Sequence, residues 1–287
     1  MKISLAHLGP AGTNTETAAL AYAQWLTEQK NQQALLCPYP TIFQTGQAVA
    51  DAEAQLAVVP VENSTHGSVA VTLDLLWQFE TLQIQQELIL PISHALVSHS
   101  PTLEALTVIY SHPQALGQCQ QWLETQLPGV TLIASNSTSE AVCQVQQDKT
   151  AGAIAAPRAA KLYDVPILAE GIQDYPENCT RFWILGLTPT NTGDRLSLAF
   201  SVPRNVPGSL VKPLQTFAKR GLNLSRIESR PTKRSLGEYL FFVDLQGNMQ
   251  QSSVQSAITE LNTYTSILKI FGNYPVLTIS PETLLRL

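Results

Sequence analysis

Short apolar strands alternate with helix-like segments along the first 170 residues, and this alternation constrains the fold more than any other feature of the sequence. Residues 3–8 alternate like a strand, and apolar residues at helical spacing follow from about 14 to 29. The same succession recurs up to a last strand at 166–170. Alternating strands and helices indicate α/β units with mostly parallel sheets.

A second domain is predicted after a short polar linker at residues 188–194, which contains Pro and Gly. Beyond it the sequence favours the order strand, helix, strand, strand, helix, strand over about 80 residues, which is the ferredoxin-like arrangement. The charge also changes sign there. Residues 1–194 carry 6 Lys and Arg against 17 Asp and Glu, a net −11, whereas residues 195–287 carry 11 against 5, a net +6.

Composition excludes several classes of function. There is no Lys or Arg between Lys30 and Lys149, so most of the first part lacks the cations that nucleic acids require. No apolar run reaches the ~18 residues of a membrane span. The four cysteines and five histidines show no zinc-binding spacing, so we expect no metal site. The early Gly9-Pro10 break argues against a signal peptide, and we expect a cytoplasmic protein.

Four polar segments follow predicted strands in the first part of the chain, where open α/β sheets bind ligands. They are Gly9–Glu16, Pro60–Ser68, Ser111–Leu116 and Asn178–Phe182. The first brings two glycines and several hydroxyls to a helix start, which suits an anion but also suits an ordinary capped turn. The second gathers more polar side chains than a tight turn needs, which favours a binding site.

The other two segments each allow a structural reading as well as a functional one. His112 either contacts a ligand or packs behind a capping Ser111. Arg181, at the mouth of an apolar strand, suits a carboxylate ligand, but a structural ion pair with a neighbouring acid would place it there equally well.

In order and across nearly the whole chain, these segments resemble the motifs of the prephenate dehydratase family. The match to the second motif continues through Thr72 and Asp74, and the third and fourth are intact. Two later segments, Pro207–Leu210 and Ile227–Pro231, resemble motifs of the regulatory ACT domain found in that family. The first motif departs at Asn14, where the family has an aromatic residue.

The resemblance implies an α/β fold with a two-lobed catalytic region, built like a periplasmic binding protein from two α/β subdomains around a cleft. That region would cover residues 1–187, with lobe one at about 1–78 and 172–187 and lobe two at about 79–171. A ferredoxin-like βαββαβ ACT domain would occupy residues 195–275.

The implied reaction is the decarboxylating dehydration of prephenate to phenylpyruvate by a carbon–oxygen lyase in phenylalanine biosynthesis, without a cofactor or metal. The resemblance makes Thr180 the expected catalytic residue, with its hydroxyl polarising the departing oxygen, and Glu62 the titratable alternative. The expected substrate-binding residues are Arg181, Thr13, Thr15, Asn63, Ser64, His112, Gln114, Asn178 and Phe182.

For the ACT domain, the resemblance implies a homo-oligomer that binds L-phenylalanine as a feedback effector. The expected effector-binding and relay residues are Pro207, Gly208, Ser209, Leu210, Glu228, Ser229 and Arg230. Two alternatives stay open at the level of sequence. One is arogenate dehydratase, whose substrate carries an ammonium in place of the keto group. The other is a non-enzymatic module that binds a small molecule, because fold alone does not determine function.

Overall fold

The computed structural model describes residues 2–287, which separate into two compact units. The first unit contains the residues up to Thr72, Leu88–Phe182 and Thr278–Leu287. The second contains Leu73–Glu87 and Trp183–Leu277. Within residues 2–287, no helix is both long and apolar enough to cross a membrane.

Sixteen strands are formed by the described residues. In chain order they are β1 (Ile3–Leu8), β2 (Ala34–Tyr39), β3 (Leu56–Asn63), β4 (Gly67–Ser68), β5 (Gln83–Pro91), β6 (Ala95–Val97), β7 (Val108–Ser111), β8 (Thr131–Ala134), β9 (Ala151–Ala155), β10 (Ile167–Glu170), β11 (Cys179–Gly186), β12 (Arg195–Ser201), β13 (Asn223–Pro231), β14 (Tyr239–Gln246), β15 (Ile267–Tyr274) and β16 (Val276–Thr278).

Ten helices connect or flank these strands in the described chain. They are α1 (Asn14–Lys30), α2 (Ile42–Ala50), α3 (Ala70–Gln78), α4 (Pro113–Gln118), α5 (Gln120–Gln126), α6 (Thr138–Gln144), α7 (Pro157–Tyr163), α8 (Val211–Ala218), α9 (Ser252–Asn262) and α10 (Pro281–Leu285).

The strands form three sheets. A seven-stranded sheet has the order β16-β5-β11-β3-β1-β2, and β4 pairs with β3 beside it. A five-stranded sheet has the order β10-β6-β9-β7-β8. Strand β1 runs parallel to β2 and β3, and β7 runs parallel to β8 and β9, as the α/β pattern predicts. Strand β6, however, is antiparallel to both β9 and β10, so the second sheet is mixed rather than mostly parallel.

The third sheet belongs to the second unit and is antiparallel throughout, in the order β13-β14-β12-β15. With helices α8 and α9 it completes the predicted βαββαβ order. Alternate residues of β12, Leu196, Leu198 and Phe200, are fully buried and belong to the same apolar cluster as Phe217 of α8 and Leu261 of α9. Every second residue of the strand, together with the buried faces of α8 and α9, therefore forms this core.

Several segments differ from the sequence-based expectation. The sequence favours a single helix over 113–126, but the structure interrupts it at Cys119, and the Asp174 carboxylate accepts the backbone N–H groups of Gln121 and Trp122 at the start of α5. A side chain more than 50 residues away therefore caps a new helix start, which local periodicity does not reveal. Elements β2, α2, β4, β16 and α10 were not predicted at all.

Asn273 ties the linker to the sheet of the second unit. Its side chain is fully buried, and its Nδ2 donates to the carbonyl oxygens of Gly193, Arg195 and Gly247 at 2.9, 2.9 and 3.0 Å. Its Oδ1 accepts the backbone N–H of Met249 at 3.0 Å. One amide therefore satisfies four main-chain groups.

We expect Asn273→Ala to lower the free energy of unfolding by about 3 kcal/mol, because it removes these bonds and leaves buried polar groups without partners. Urea denaturation measures the change. The control is Asn262→Ala, at an exposed helix position whose side chain makes no hydrogen bond to residues 2–287. That variant should stay within about 0.5 kcal/mol of the parent. Equal, small effects of both changes would contradict the assigned role of Asn273.

Candidate functional site

A cavity of about 900 Å³ lies within the first unit, at the ends of strands of the first two sheets. Both predicted lobes contribute to its wall, since residues from segments 8–15 and 60–71 face residues from segments 112–118 and 136–140. The predicted site residues in this wall are Thr13, Thr15, Asn63, His112, Gln114, Thr180 and Phe182.

Four helices begin at the wall of this cavity. Their N-cap residues are Thr13 for α1, Thr41 for α2, His112 for α4 and Ser137 for α6, and all four line the cavity. In each case the side chain of the N-cap accepts a backbone N–H of the first turn. The N-terminus of a helix carries a partial positive charge, so four of them make the wall electropositive.

Backbone donors remain available at two of these helix starts. The N–H groups of Asn14 and Thr15 in α1, and that of Thr138 in α6, make no hydrogen bond to residues 2–287, and all three residues line the cavity. No Lys or Arg is found among the wall residues in the described chain. The cavity can therefore hold an anion through oriented backbone amides rather than through cationic side chains.

Asn63, at the end of β3, is the most heavily bonded side chain in the wall. Its Nδ2 approaches the Oδ1 of Asn178 at 2.9 Å and the Oγ1 of Thr180 at 3.0 Å. Its Oδ1 accepts the backbone N–H groups of Thr65 and His66 at 3.1 and 3.2 Å. The buried amide therefore joins the turn after β3 to the start of β11.

Thr180 is 8% exposed, and its oxygen accepts the hydrogen bond from Asn63. Its hydroxyl hydrogen is not used in that bond and can point elsewhere. Since Thr180 lines the cavity, the hydroxyl can act as a donor to a bound molecule.

Ser64 and Asn178 support this arrangement and do not line the cavity. The backbone N–H of Ser64 donates to the carbonyl of Cys179 at 2.9 Å, and the N–H of Cys179 donates to the Ser64 hydroxyl at 3.0 Å. That hydroxyl donates in turn to Asn178 at 3.2 Å. The two residues clamp the end of β3 against the start of β11.

Glu62 and Arg181 form an ion pair, with 2.7 Å between Oε2 and Nη1, and neither is part of the cavity wall. Successive side chains of a strand point to opposite faces. Asn63 and Thr180 face the cavity, so their neighbours Glu62 and Arg181 face away from it. The structure therefore pairs these two predicted residues with each other, outside the cavity wall.

His94 and Gln118 are wall residues that the sequence analysis did not single out. They are 2% and 4% exposed, and His94 Nε2 lies 2.6 Å from Gln118 Oε1. Burial lowers the pKa of His94, and the hydrogen bond to Gln118 opposes part of that effect. Gln118 lies four residues after Gln114, on the same face of α4, and this spacing was a signal available in the sequence.

His112 is held by its own helix. Its Nδ1 accepts the backbone N–H of Gln114 at 3.2 Å, so the neutral ring carries its proton on Nε2. Burial, and to a smaller extent the nearby His66, lower the pKa of His112. The predicted Ser111 cap is therefore wrong, because His112 itself caps α4 and also lines the cavity, whereas the Ser111 hydroxyl donates to the carbonyl of Ile154 at 2.6 Å.

The predicted regulatory residues lie in the second unit, on separate elements. Pro207–Leu210 form the turn before α8, and Gly208 has a φ of +81° that favours glycine there. Glu228, Ser229 and Arg230 lie on β13, an edge strand of the third sheet. The Arg230 guanidinium bonds Asp74 of α3 at 3.0 Å. Burial favours the neutral form of this carboxyl, but hydrogen bonds from Lys233 and Arg230 outweigh it and hold the pKa of Asp74 below its usual range.

No group of three or more His, Cys, Asp or Glu side chains in the described residues is arranged to hold a metal ion. The cavity wall is instead made of amides, hydroxyls, imidazoles, apolar side chains and the single carboxylate of Glu140.

Known proteins and family models match nearly the whole chain. A family model described as prephenate dehydratase matches residues 5–190, and one described as ACT domain matches residues 197–262. A bifunctional chorismate mutase/prephenate dehydratase of Aquifex aeolicus is 40% identical over 277 residues, which are 96% of this chain and 74% of that protein. A prephenate dehydratase of Lactococcus lactis subsp. cremoris is 36% identical over 282 residues, 96% of this chain and 98% of that protein.

A solved structure is similar over nearly the same length. The crystal structure of prephenate dehydratase from Arthrobacter aurescens in complex with L-Phe is 32% identical, with a TM-score of 0.82. The similarity covers 95% of this chain and 90% of that one.

We expect the free energy of unfolding to fall as the pH decreases below about 6.5, the ordinary histidine pKa. Burial lowers the pKa values of His7, His94 and His112, so the unfolded chain binds more protons than the folded one in this range. Urea denaturation at several pH values between 7.5 and 5 measures the trend. Constant stability across this range would contradict the assigned burial of these rings.

Proposed function

The chain belongs to the prephenate dehydratase family, and we propose that it converts prephenate to phenylpyruvate in this cavity, under feedback control by L-phenylalanine. One observation carries the assignment of the site. Four helix N-termini and the Thr180 hydroxyl meet in a single cavity whose wall, in the described chain, contains no Lys or Arg. Prephenate is a dianion that loses a hydroxyl group in the reaction. Its carboxylates need the N–H donors of the helix starts, and its departing oxygen needs a hydroxyl donor.

The carboxylates of prephenate are bound by the backbone N–H groups at the starts of α1 and α6. Asn14 and Thr15 offer two donors, and Thr138 offers a third. Charge-assisted bonds from amides to carboxylates are stronger than neutral ones. Thr13, Gln114 and Phe182 then shape the space around the ring.

The reaction breaks two bonds of the ring substituents. The bond between the ring and one carboxylate breaks to release CO2, and its electron pair completes the aromatic ring as the hydroxyl leaves on the opposite side. The departing oxygen takes up a proton from the solvent and leaves as water. Thr180 donates a hydrogen bond to this oxygen as negative charge develops on it, and it does not itself ionise near neutrality.

Glu62 and Arg181 act on the reaction through the strands that carry them. Their ion pair links β3 to β11 and so fixes the spacing of Asn63 and Thr180 on the cavity face. We assign the two residues this supporting role in place of direct contact with substrate.

The cavity favours prephenate over arogenate. Glu140 is the one carboxylate in the wall as described, and its two oxygens accept the backbone and side-chain N–H groups of Asn136 at 3.0 and 3.3 Å. The ammonium of arogenate would face the positive ends of four helices, which is electrostatically unfavourable, and Glu140 would be the one wall carboxylate to offset that cost. The neutral keto group of prephenate avoids this cost.

An assay with separate substrates tests the proposal. The purified chain is given prephenate or arogenate, with and without L-phenylalanine, and formation of phenylpyruvate or phenylalanine is followed. Rapid release of phenylpyruvate from prephenate supports the assignment. Turnover of arogenate alone would contradict the substrate preference. Tight binding of an aromatic amino acid without turnover of either substrate would favour the binding-module alternative.

We expect Thr180→Ala to lower kcat about 100-fold or more while KM changes by less than about threefold, because one hydrogen bond to the departing oxygen is lost. Steady-state kinetics with prephenate measure both values. Thr180→Ser is the matched control, since it keeps the hydroxyl and should retain most of the turnover. Full activity of the alanine variant would remove Thr180 from the mechanism.

L-Phenylalanine is proposed to bind at the turn formed by Pro207–Leu210 and at Glu228–Arg230 of β13. The L-Phe complex of the Arthrobacter structure and the match of residues 197–262 to the ACT family support this assignment. We also propose a homo-oligomer. Apolar side chains of the second unit support it, since Ile227 on the edge strand is 47% exposed and Ile267 is 41% exposed. Light scattering on the purified chain measures the mass.

A pair of glycine variants tests the effector site. Gly208 and Gly221 both have positive φ, +81° and +65°, and both have open space for a Cβ, so alanine strains the backbone at each. Gly208→Ala should raise the phenylalanine concentration needed for half-inhibition severalfold, whereas Gly221→Ala should leave it unchanged. Inhibition curves at fixed prephenate measure the difference. Equal shifts in both variants would argue against the Pro207–Leu210 turn as the effector site.

A further inference from the structure

Two buried side chains of the cavity wall, His94 and Gln118, have no role in the reaction as described above. Gln118 Oε1 lies 2.6 Å from His94 Nε2, and Gln118 Nε2 lies 3.0 Å from Asn63 Oδ1. Asn63 Nδ2 lies 3.0 Å from Thr180 Oγ1. A continuous series of hydrogen bonds therefore connects His94 to Thr180.

The direction of this series is fixed by the backbone. Asn63 Oδ1 accepts the N–H groups of Thr65 and His66, which can only donate, so this atom is the oxygen of the amide. The atom of Gln118 that faces it must then be the NH2 group. It follows that the oxygen of Gln118 faces His94.

The tautomer of His94 follows from the same reasoning. The Gln118 oxygen can only accept, so His94 Nε2 must carry the hydrogen of the neutral ring. The opposite tautomer would place two lone pairs 2.6 Å apart. It would also leave an N–H on Nδ1, a buried atom without a hydrogen-bond partner in the described chain.

We propose that His94 and Gln118 are positioning residues for the dehydration, which act through Asn63 to orient the Thr180 hydroxyl. Each group donates to the next in the same direction, from His94 to Gln118, from Gln118 to Asn63, and from Asn63 to Thr180. Since the Thr180 oxygen is occupied as an acceptor, its own hydrogen is directed into the cavity. This inference rests on the proposed role of Thr180 in prephenate dehydration.

Such a series polarises its last member. Hydrogen bonds aligned in one direction strengthen one another, and the effect is larger in a buried site than in water. Gln118 also donates to the Thr65 hydroxyl at 2.8 Å, which in turn donates to Asn63 Oδ1 at 2.6 Å. This second contact holds the same amide in the same orientation.

The first test replaces the donor at the centre of the series. Gln118→Glu keeps the shape of the side chain but presents carboxylate oxygens to Asn63 Oδ1, so acceptor faces acceptor. We expect kcat for prephenate to fall about 10- to 100-fold, with KM changed less than about threefold. The control is Gln126→Glu, which adds the same charge at an exposed position of α5 and should leave kcat unchanged. A loss confined to KM would overturn the proposal.

A double-mutant cycle separates positioning from general structural damage. Once Thr180 is replaced by Ala, the series has no last member. Gln118→Glu should then lower the residual kcat by less than about twofold in the Thr180→Ala background. The same fold-loss in both backgrounds would show that Gln118 acts independently of Thr180 and would overturn the relay.

His94 variants give a second test, which remains decisive if Gln118→Glu does not fold. His94→Gln can keep an N–H donor directed at Gln118, whereas His94→Leu removes it. We expect kcat to be at least about fivefold higher in the Gln variant than in the Leu variant. Circular dichroism and thermal unfolding verify that both variants fold. Equal loss of turnover in the two folded variants would overturn the relay.

The wild-type assay distinguishes failure of this inference from failure of the proposed function. If the unaltered chain does not convert prephenate, the function itself is wrong. If it does and Gln118→Glu has the same kcat, the function stands and the relay is wrong.

Discussion

The candidate site depends on one side-chain amide, that of Asn63. Its oxygen is held by the backbone of the turn that follows β3, and its nitrogen reaches the start of β11. Strands β3 and β11 are neighbours in the sheet but lie more than 100 residues apart in the sequence. A primary amide can do this because it has a donor and an acceptor at opposite sides of a rigid plane. A carboxylate of the same shape would offer acceptors only.

The electrostatics of the cavity also depend on polar groups of the backbone rather than on charged side chains. The first 194 residues carry a large negative excess, yet the wall attracts anions through helix N-termini. At each of these helix starts, a side chain accepts a backbone N–H of the first turn. At α6, for example, the Ser137 hydroxyl accepts the N–H of Glu140, and the Glu140 carboxylate accepts the N–H of Asn136. The caps satisfy some of the first-turn N–H groups, and those of Asn14, Thr15 and Thr138 remain available at the cavity wall. Backbone donors lose little conformational entropy when they bind, because the helix already fixes them.

Much of this organisation was predictable from the sequence. The strand–helix alternation, the βαββαβ order after the linker, and the polar segments after β1, β3 and β7 all depend on local patterns of a few residues. These patterns follow from the periods of strands and helices. Thr13, Asn63 and Thr180 were expected together, and they lie in one wall.

Other features depend on contacts between distant segments and were not predictable. The break at Cys119 depends on Asp174, and the antiparallel strand β6 depends on how the chain returns to its sheet. Glu62 and Arg181 face away from the cavity because of the register of their strands. A shift of one residue would turn both side chains towards the cavity. Gln118 gave a signal through its spacing from Gln114, whereas His94 gave none, because a single histidine in an extended stretch is usually a core residue.

A cavity that binds anions through dipoles has a consequence for how substrate arrives. Helix dipoles act over a few ångströms, whereas the negative excess of residues 1–194 acts over the Debye length, about 10 Å at 0.1 M salt. An approaching dianion therefore meets repulsion at long range before it meets attraction at the wall. Added salt screens the long-range repulsion and leaves the attraction at the wall largely intact. Encounter with substrate therefore becomes faster as ionic strength rises, whereas electrostatic steering would make it slower.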